Sequence, residues 1–286
     1  MIKIAADIEI YYKISISNSY TVDIANFIET IPEHPNVLSP CKIERAEKET
    51  YLFYRVSKNG STLRQLIETK NINQKSNNLS IRNTIRNVFT HRLTPIYMIL
   101  HVIDACEFML QNNMLLVQSN INPDCIWVEH DDTGKQRIYI INQLDTITTN
   151  NYVDTDKYKN YWHPELLSRY NYVTYYSDNN NVSRTTGNQK LILNRNDTRP
   201  STLSCVYSLG LVLYFIVYQK DPFPEQRIHE YDSPHFMQKN KFNKYILVAI
   251  NPEMTDRLTL LEWKEFIHKD FHNHKTCNRF VYTFSL

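Results

Sequence analysis

Val117-Gln118-Ser119-Asn120-Ile121-Asn122-Pro123-Asp124-Cys125-Ile126-Trp127-Val128 sets a polar, proline-containing stretch directly ahead of an apolar run. Proline fixes its own φ and has no N–H to donate, so Pro123 reads as a turn former, followed by the apolar run Ile126-Trp127-Val128. Upstream, Pro95 to Gln111 carries Ile96, Met98, Ile99, Val102, Ile103, Cys106, Phe108 and Met109 at a spacing that predicts a mostly buried helix. Downstream, a turn at Asp131 to Gly134 leads into a buried strand, Ile138-Tyr139-Ile140-Ile141. Taken alone, the stretch is an ordinary polar loop with Pro123 as a turn former. Its meaning depends on what surrounds it.

Outward from this loop the chain divides by composition. Residues 1 to 16 alternate and are rich in Ile and Tyr, predicting strands, and Tyr51 to Val56 predicts another. Ile24, Phe27, Ile28 and Ile31 have helical spacing over Asp23 to Ile31, and His34 to Leu38 reads as a turn into a strand. After a turn at Lys58 to Ser61, Leu63 to Thr69 predicts a short helix, followed by a polar loop from Lys70 to Ser80. Residues 171 to 202 are polar and read as an exposed insertion, whereas Leu203 to Tyr218 is apolar nearly all round, as suits a helix at the centre of a core. Further helices are expected at Phe242 to Ala249 and Leu260 to Lys269.

The 286 residues suffice for one large domain or two lobes. A formal net charge of +2 gives no argument for broad capture of nucleic acid or anionic membrane. The 5 cysteines form neither a paired framework nor a Cys-x-x-Cys set, which predicts a reduced, cytoplasmic location. No leader-like apolar segment opens the sequence, and Leu209 to Tyr218 is about half of what a membrane span needs. The 4 glycines, Gly60, Gly134, Gly187 and Gly210, lie too far apart to build a glycine-rich phosphate loop, so that mode of nucleotide binding is excluded.

Several motifs in order resemble those of protein kinases. The opening loop resembles the catalytic loop His-Arg-Asp-x-Lys-Pro-x-Asn. His34-Pro35-Asn36 resembles the turn after the small-lobe helix, and Gly60-Ser61-Thr62-Leu63 the opening of the helix after the hinge. Tyr161-Trp162-His163-Pro164-Glu165 is similar to the Ala-Pro-Glu end of the activation segment, and Ser204 to Gly210 to the start of the central helix. Asp221-Pro222-Phe223 and Asn251-Pro252 to Arg257-Leu258-Thr259 match later landmarks. The resemblance covers about residues 8 to 271 and implies an α+β, bilobal protein-kinase-like fold: a reduced, strand-rich N-lobe over 1–57 and a mainly helical C-lobe over 58–286, with polar insertions near 70–80 and 171–202. It also implies a buried ion pair between Glu165 and Arg257.

Within that frame the chemistry-bearing positions are substituted. Asn120 stands where the kinase Asp accepts the substrate proton, and a carboxamide cannot do so at neutral pH. Asn122 and Ser119 stand where Lys and Arg supply positive charge to the transition state. Cys125 replaces the metal-holding Asn, with soft sulfur in place of a hard oxygen donor, and Asn142 replaces the Asp of Asp-Phe-Gly. Asp145 lies off the expected frame. Lys13 is offered as the phosphate-contacting strand lysine, with Asp23 as its acidic partner, against the plain reading of a solvated edge residue.

The expectation is a degenerate kinase-like protein, a pseudokinase, without catalysis, cofactor or resident metal. It would act as a scaffold or allosteric regulator of another protein, either an active kinase or a multiprotein assembly, with no nucleic-acid or membrane partner. The alternative is a diverged nucleotide-binding phosphotransferase or nucleotidyltransferase with a non-standard site; an unrelated helical protein is a third reading. His268 and His272, with His274 and Cys277 beyond them, have a spacing that would suit a metal on one helix face, against the plain reading of a helix end and a polar tail.

Overall fold

Among the described residues, two sheets, each of four strands, are assembled from segments far apart in sequence. A computed structural model describes residues 2–6, 9–17, 32–47, 49–75, 94–112, 121–130, 136–141, 159–165, 202–222 and 240–273. The expected helix over Asp23 to Ile31, the turn at 131 to 134, the insertion up to residue 201, and Ser119, Asn120, Asn142, Asp145, His274 and Cys277 lie outside those residues, as do the side chains of Lys13 and His272.

The first sheet contains β1 (Ile2–Ala6), β2 (Glu9–Ser17), β4 (Lys42–Arg45) and β5 (Glu49–Val56) in the order β1-β2-β5-β4, antiparallel throughout. Lys13 pairs with Ile2 on one side and Phe53 on the other, so its backbone lies inside the sheet and not at an edge. The second sheet orders β3 (Val37–Leu38), β8 (Gln136–Ile141), β7 (Ile126–His130) and β6 (Ser61–Thr62), with β3 parallel to β8 and the rest antiparallel. Asn36 fixes the entry to β3: its side chain donates to Ile138 O at 2.9 Å, and its carbonyl accepts Ile140 N–H at 2.8 Å.

The helices are α1 (Leu63–Lys75), α2 (Thr94–Gln111), α3 (Thr202–Tyr218), α4 (Asn243–Ala249) and α5 (Leu260–Asn273). Helix α3 is buried from Ser204 to Ile216, and α2, α4 and α5 pack around it. Gly210 permits a close approach of α4, since a Cβ there would lie 2.7 Å from Ala249 Cβ. Trp263 of α5 is buried and donates its indole N–H to Tyr245 O of α4 at 3.1 Å.

Two helices outrun the sequence expectation. Helix α1 continues through Lys70 to Lys75, where a loop was expected, because Asn, Gln and Lys are tolerated in a helix and neither Gly nor Pro interrupts it. Helix α5 continues past Lys269 to Asn273. Both begin in a reciprocal cap. Gln65 N–H donates to Thr62 Oγ1 (3.2 Å) while Thr62 N–H donates to Gln65 Oε1 (3.4 Å); Thr259 and Glu262 repeat the exchange at 3.3 and 2.8 Å. Among the described residues no helix is long and apolar enough to cross a membrane.

Candidate functional site

The described part of the opening loop, Ile121 to Cys125, is held by bonds within itself. Asn122 is buried, and its side-chain oxygen accepts Asp124 N–H at 2.8 Å, an Asx turn that occupies the amide carbonyl. Its backbone carbonyl accepts the Cys125 N–H at 3.2 Å and the Cys125 thiol at 3.0 Å. Burial pushes the Cys125 thiol up to about 12, so it remains neutral and packs as a small apolar side chain. Cys125 N–H and carbonyl thus belong to the turn and to β8 respectively, the latter through Ile141 N–H at 2.8 Å.

The loop's carboxylate is also engaged. Asp124 accepts Arg64 Nε–H at 3.0 Å, and the Arg64 backbone N–H donates to Pro123 O at 3.2 Å, so the first turn of α1 is clamped to the loop from both ends of one residue. Arg64 Nη1 donates to Asp221 Oδ1 at 3.0 Å, and the Tyr161 hydroxyl donates to that same oxygen at 2.8 Å. The guanidinium lies over the rings of Phe215 (5.1 Å) and Tyr161 (5.9 Å). Burial acts to lower the Arg64 pKa, but Tyr161, Asp124 and Asp221 together hold it above its ordinary value. The Tyr161 hydroxyl is raised by burial and then by Asp221, and it remains protonated as a donor.

A second ion pair joins the residues matched to the activation-segment end and the late turn. Arg257 Nη2 donates to Glu165 Oε1 at 2.6 Å and Nη1 to Oε2 at 3.1 Å. Glu165 is half-buried and not fully buried, and it also contacts His163 Nδ1 at 2.7 Å. Lys13, by contrast, is placed only through its strand, and Asn120 and Asn142 flank the described ends of the loop and of β8.

Sequence reasoning did not find Arg64 or Glu129. Arg64 sits in the first turn after the Thr62-x-x-Gln65 cap, a legible helix start that does not by itself say which loop the side chain meets. Glu129 follows the apolar run Ile126 to Val128 on β7, and its carboxylate accepts Ser57 N–H at 3.0 Å. Among the described residues no three His, Cys, Asp or Glu side chains form a group that would hold a metal.

No family model matches the chain, and a search of curated proteins finds no match. Solved structures do match. One is Rad53 residues 1–466 in complex with AMP-PNP, at TM-score 0.56 and 12% identity, covering 89% of this chain. The chain spans 57% of that Rad53 chain. At this identity the likeness concerns the fold: a mixed arrangement of small sheets and several helices that resembles a protein kinase.

Proposed function

We propose that the chain is a catalytically inactive protein-kinase-like protein, a pseudokinase. On this reading a reduced small lobe over 1–57 precedes a helical large lobe over 58–286, and the molecule acts in the cytoplasm as a scaffold or allosteric regulator. Its partner would be another protein, an active kinase or an assembly. One observation carries the reading: in a kinase-like fold, Asn122, Asp124 and Cys125 are committed to the loop's own turn and to Arg64, with the thiol buried and neutral. A group so engaged neither accepts a substrate proton nor offers a hard ligand to magnesium. The substitutions at Asn120 and Asn142 act in the same direction.

The test is phosphoryl transfer from labelled ATP, with magnesium and with manganese, by the purified chain to itself and to general kinase substrates. No incorporation above background is expected. Incorporation that follows the protein through purification and disappears in Lys13→Ala would replace this reading with the phosphotransferase alternative. Affinity capture with the intact chain and with a chain lacking 171–202 then asks whether that polar insertion carries the partner contact.

A further inference from the structure

Ser57 to Gly60 joins β5 of the first sheet to β6 of the second. Junctions between structural units are where small-molecule pockets form, and a planar heteroaromatic ligand needs room for its ring and an unengaged polar group to fix its edge. Both are already used here. The Ser57 N–H donates to Glu129 Oε2 at 3.0 Å, and the Trp127 indole N–H donates to the same oxygen at 3.3 Å. The other oxygen, Oε1, accepts the Tyr139 hydroxyl at 3.2 Å. Trp127 is 1% exposed, and its indole lies against Gly60 so closely that a Cβ there would fall 2.4 Å from Nε1.

We propose that Trp127 and Glu129 form an internal plug at this junction: the indole fills the space of a heteroaromatic ligand, and Glu129 takes the Ser57 amide that such a ligand would use. The junction is therefore closed to a purine ring, and removing the indole opens a ring-sized space beside Gly60, while the Ser57 amide stays on Glu129. The proposal rests on the inactive kinase-like reading proposed above and deepens it. It assigns the closure to named residues and not to a missing phosphate loop.

Adenosine is the discriminating probe, since it carries no phosphate and needs no metal. Its binding is measured calorimetrically to the full chain, to Trp127→Ala and to Trp127→Leu, the second variant retaining apolar bulk if the first does not fold. No saturable binding is expected to the unaltered chain, and binding at least about tenfold tighter is expected to a folded Trp127 variant, as an emptied apolar cavity accepts a matching ring. Hydrogen exchange provides an arm independent of the Trp127 variants: the Ser57 amide should be protected in the unaltered chain and lose about tenfold or more of that protection in Glu129→Ala, which removes the acceptor. Adenosine binding to the unaltered chain, no gain in a folded variant, or an unprotected Ser57 amide each overturns the plug. Adenosine binding without phosphoryl transfer would refute the plug alone, whereas transfer would refute the inactive reading, so the two failures are distinct.

Discussion

Arg257 holds Glu165 through two parallel bonds, 2.6 and 3.1 Å long, across 92 residues of sequence. The guanidinium is fully buried, lies 4.8 Å from the Tyr207 ring centroid, and donates as well to Asn251 O (2.5 Å) and Pro252 O (2.8 Å). Glu165 is therefore the counter-charge of a buried cation that also spends two N–H groups on carbonyls. Glu165→Ala is expected to cost about 3 kcal/mol, the lower end for a stranded buried charge, because the carboxylate itself is 31% exposed. By thermal denaturation this is a fall of roughly 6–12 °C in Tm for a chain of this size. An unchanged melt would mean that the pair contributes nothing net.

The same pair predicts an acid dependence. Burial acts to raise the Glu165 pKa, but the bonds from His163 and Arg257 outweigh it and hold the carboxyl down at about 2, against an ordinary 4.5. With the folded value below the unfolded one, the unfolded chain takes the proton first as pH falls. The contribution is thus fully present above pH 4.5, declines from there to about 2, and is absent below. In urea denaturation, the gap in midpoint between the unaltered chain and Glu165→Gln should be constant from neutral pH to about pH 5 and should narrow by about pH 3. A gap that widens toward acid would give the shift the opposite sign.

Arg64 joins α1, the Asn122 loop, the Tyr161 turn and Asp221 beyond α3 in one cluster. Arg64→Ala leaves both Asp124 and Asp221 without the cation they share, and a loss of about 2–3 kcal/mol is expected. Arg64→Lys should recover little of it, because a single ammonium cannot reproduce the planar fork that donates to two carboxylates. The measurement is a double-mutant cycle of Arg64→Ala with Asp124→Ala, in which a coupling of about 1 kcal/mol or more is expected and strict additivity would show that the two do not interact.

The strands and helices with strong periodicity were legible in the sequence: β5, α2 and α3 fall within one or two residues of where apolar spacing puts them. What escaped was either polar or non-local. Strand β4, Lys-Ile-Glu-Arg, is largely exposed and so carries almost no apolar alternation. The α1 extension escaped because its Asn, Gln and Lys residues resemble a loop by composition while being compatible with a helix. At the site, Asn122, Cys125, Glu165 and Arg257 stood out by motif, but the Arg64 cluster joins residues 64, 124, 161 and 221, and no local pattern announces a contact of that separation. Glu129 was hidden for a similar reason, since its partner Ser57 lies 72 residues away.

Cysteine chemistry checks the loop directly. Cys106, Cys125 and Cys205 are buried, and burial raises all three thiols, whereas Cys41 is exposed. Because alkylation requires the thiolate, iodoacetamide at mildly alkaline pH should modify Cys41 early and leave those three unmodified until the chain unfolds. Peptide mass spectrometry with and without urea reads this by site. Early modification of Cys125 in the folded chain would indicate an open, activated thiol and remove the structural account of the loop.

Helix α4 packs on α3 across Gly210, where a Cβ would stand 2.7 Å from Ala249 Cβ and 2.8 Å from Ile250 Cγ2. Neither neighbour is the free end of a long side chain, so Gly210→Ala must push the two helices apart or shift the Ala249–Ile250 backbone. The gain in helix propensity from Gly to Ala is about 1 kcal/mol and favours the substitution. Overpacking in a closed core costs about 1–3 kcal/mol, and the steric term is expected to win. The net result should be a Tm lowered by a few degrees, roughly 2–6 °C. Because one clash is with the Ala249 methyl, Ala249→Gly in the Gly210→Ala background should restore part of the loss, although the same change alone destabilises. The restoration is partial because Ile250 still meets the new methyl. A Gly210→Ala chain as stable as the original, with no sign change for Ala249→Gly between backgrounds, would show that α3 and α4 are not in contact at this point.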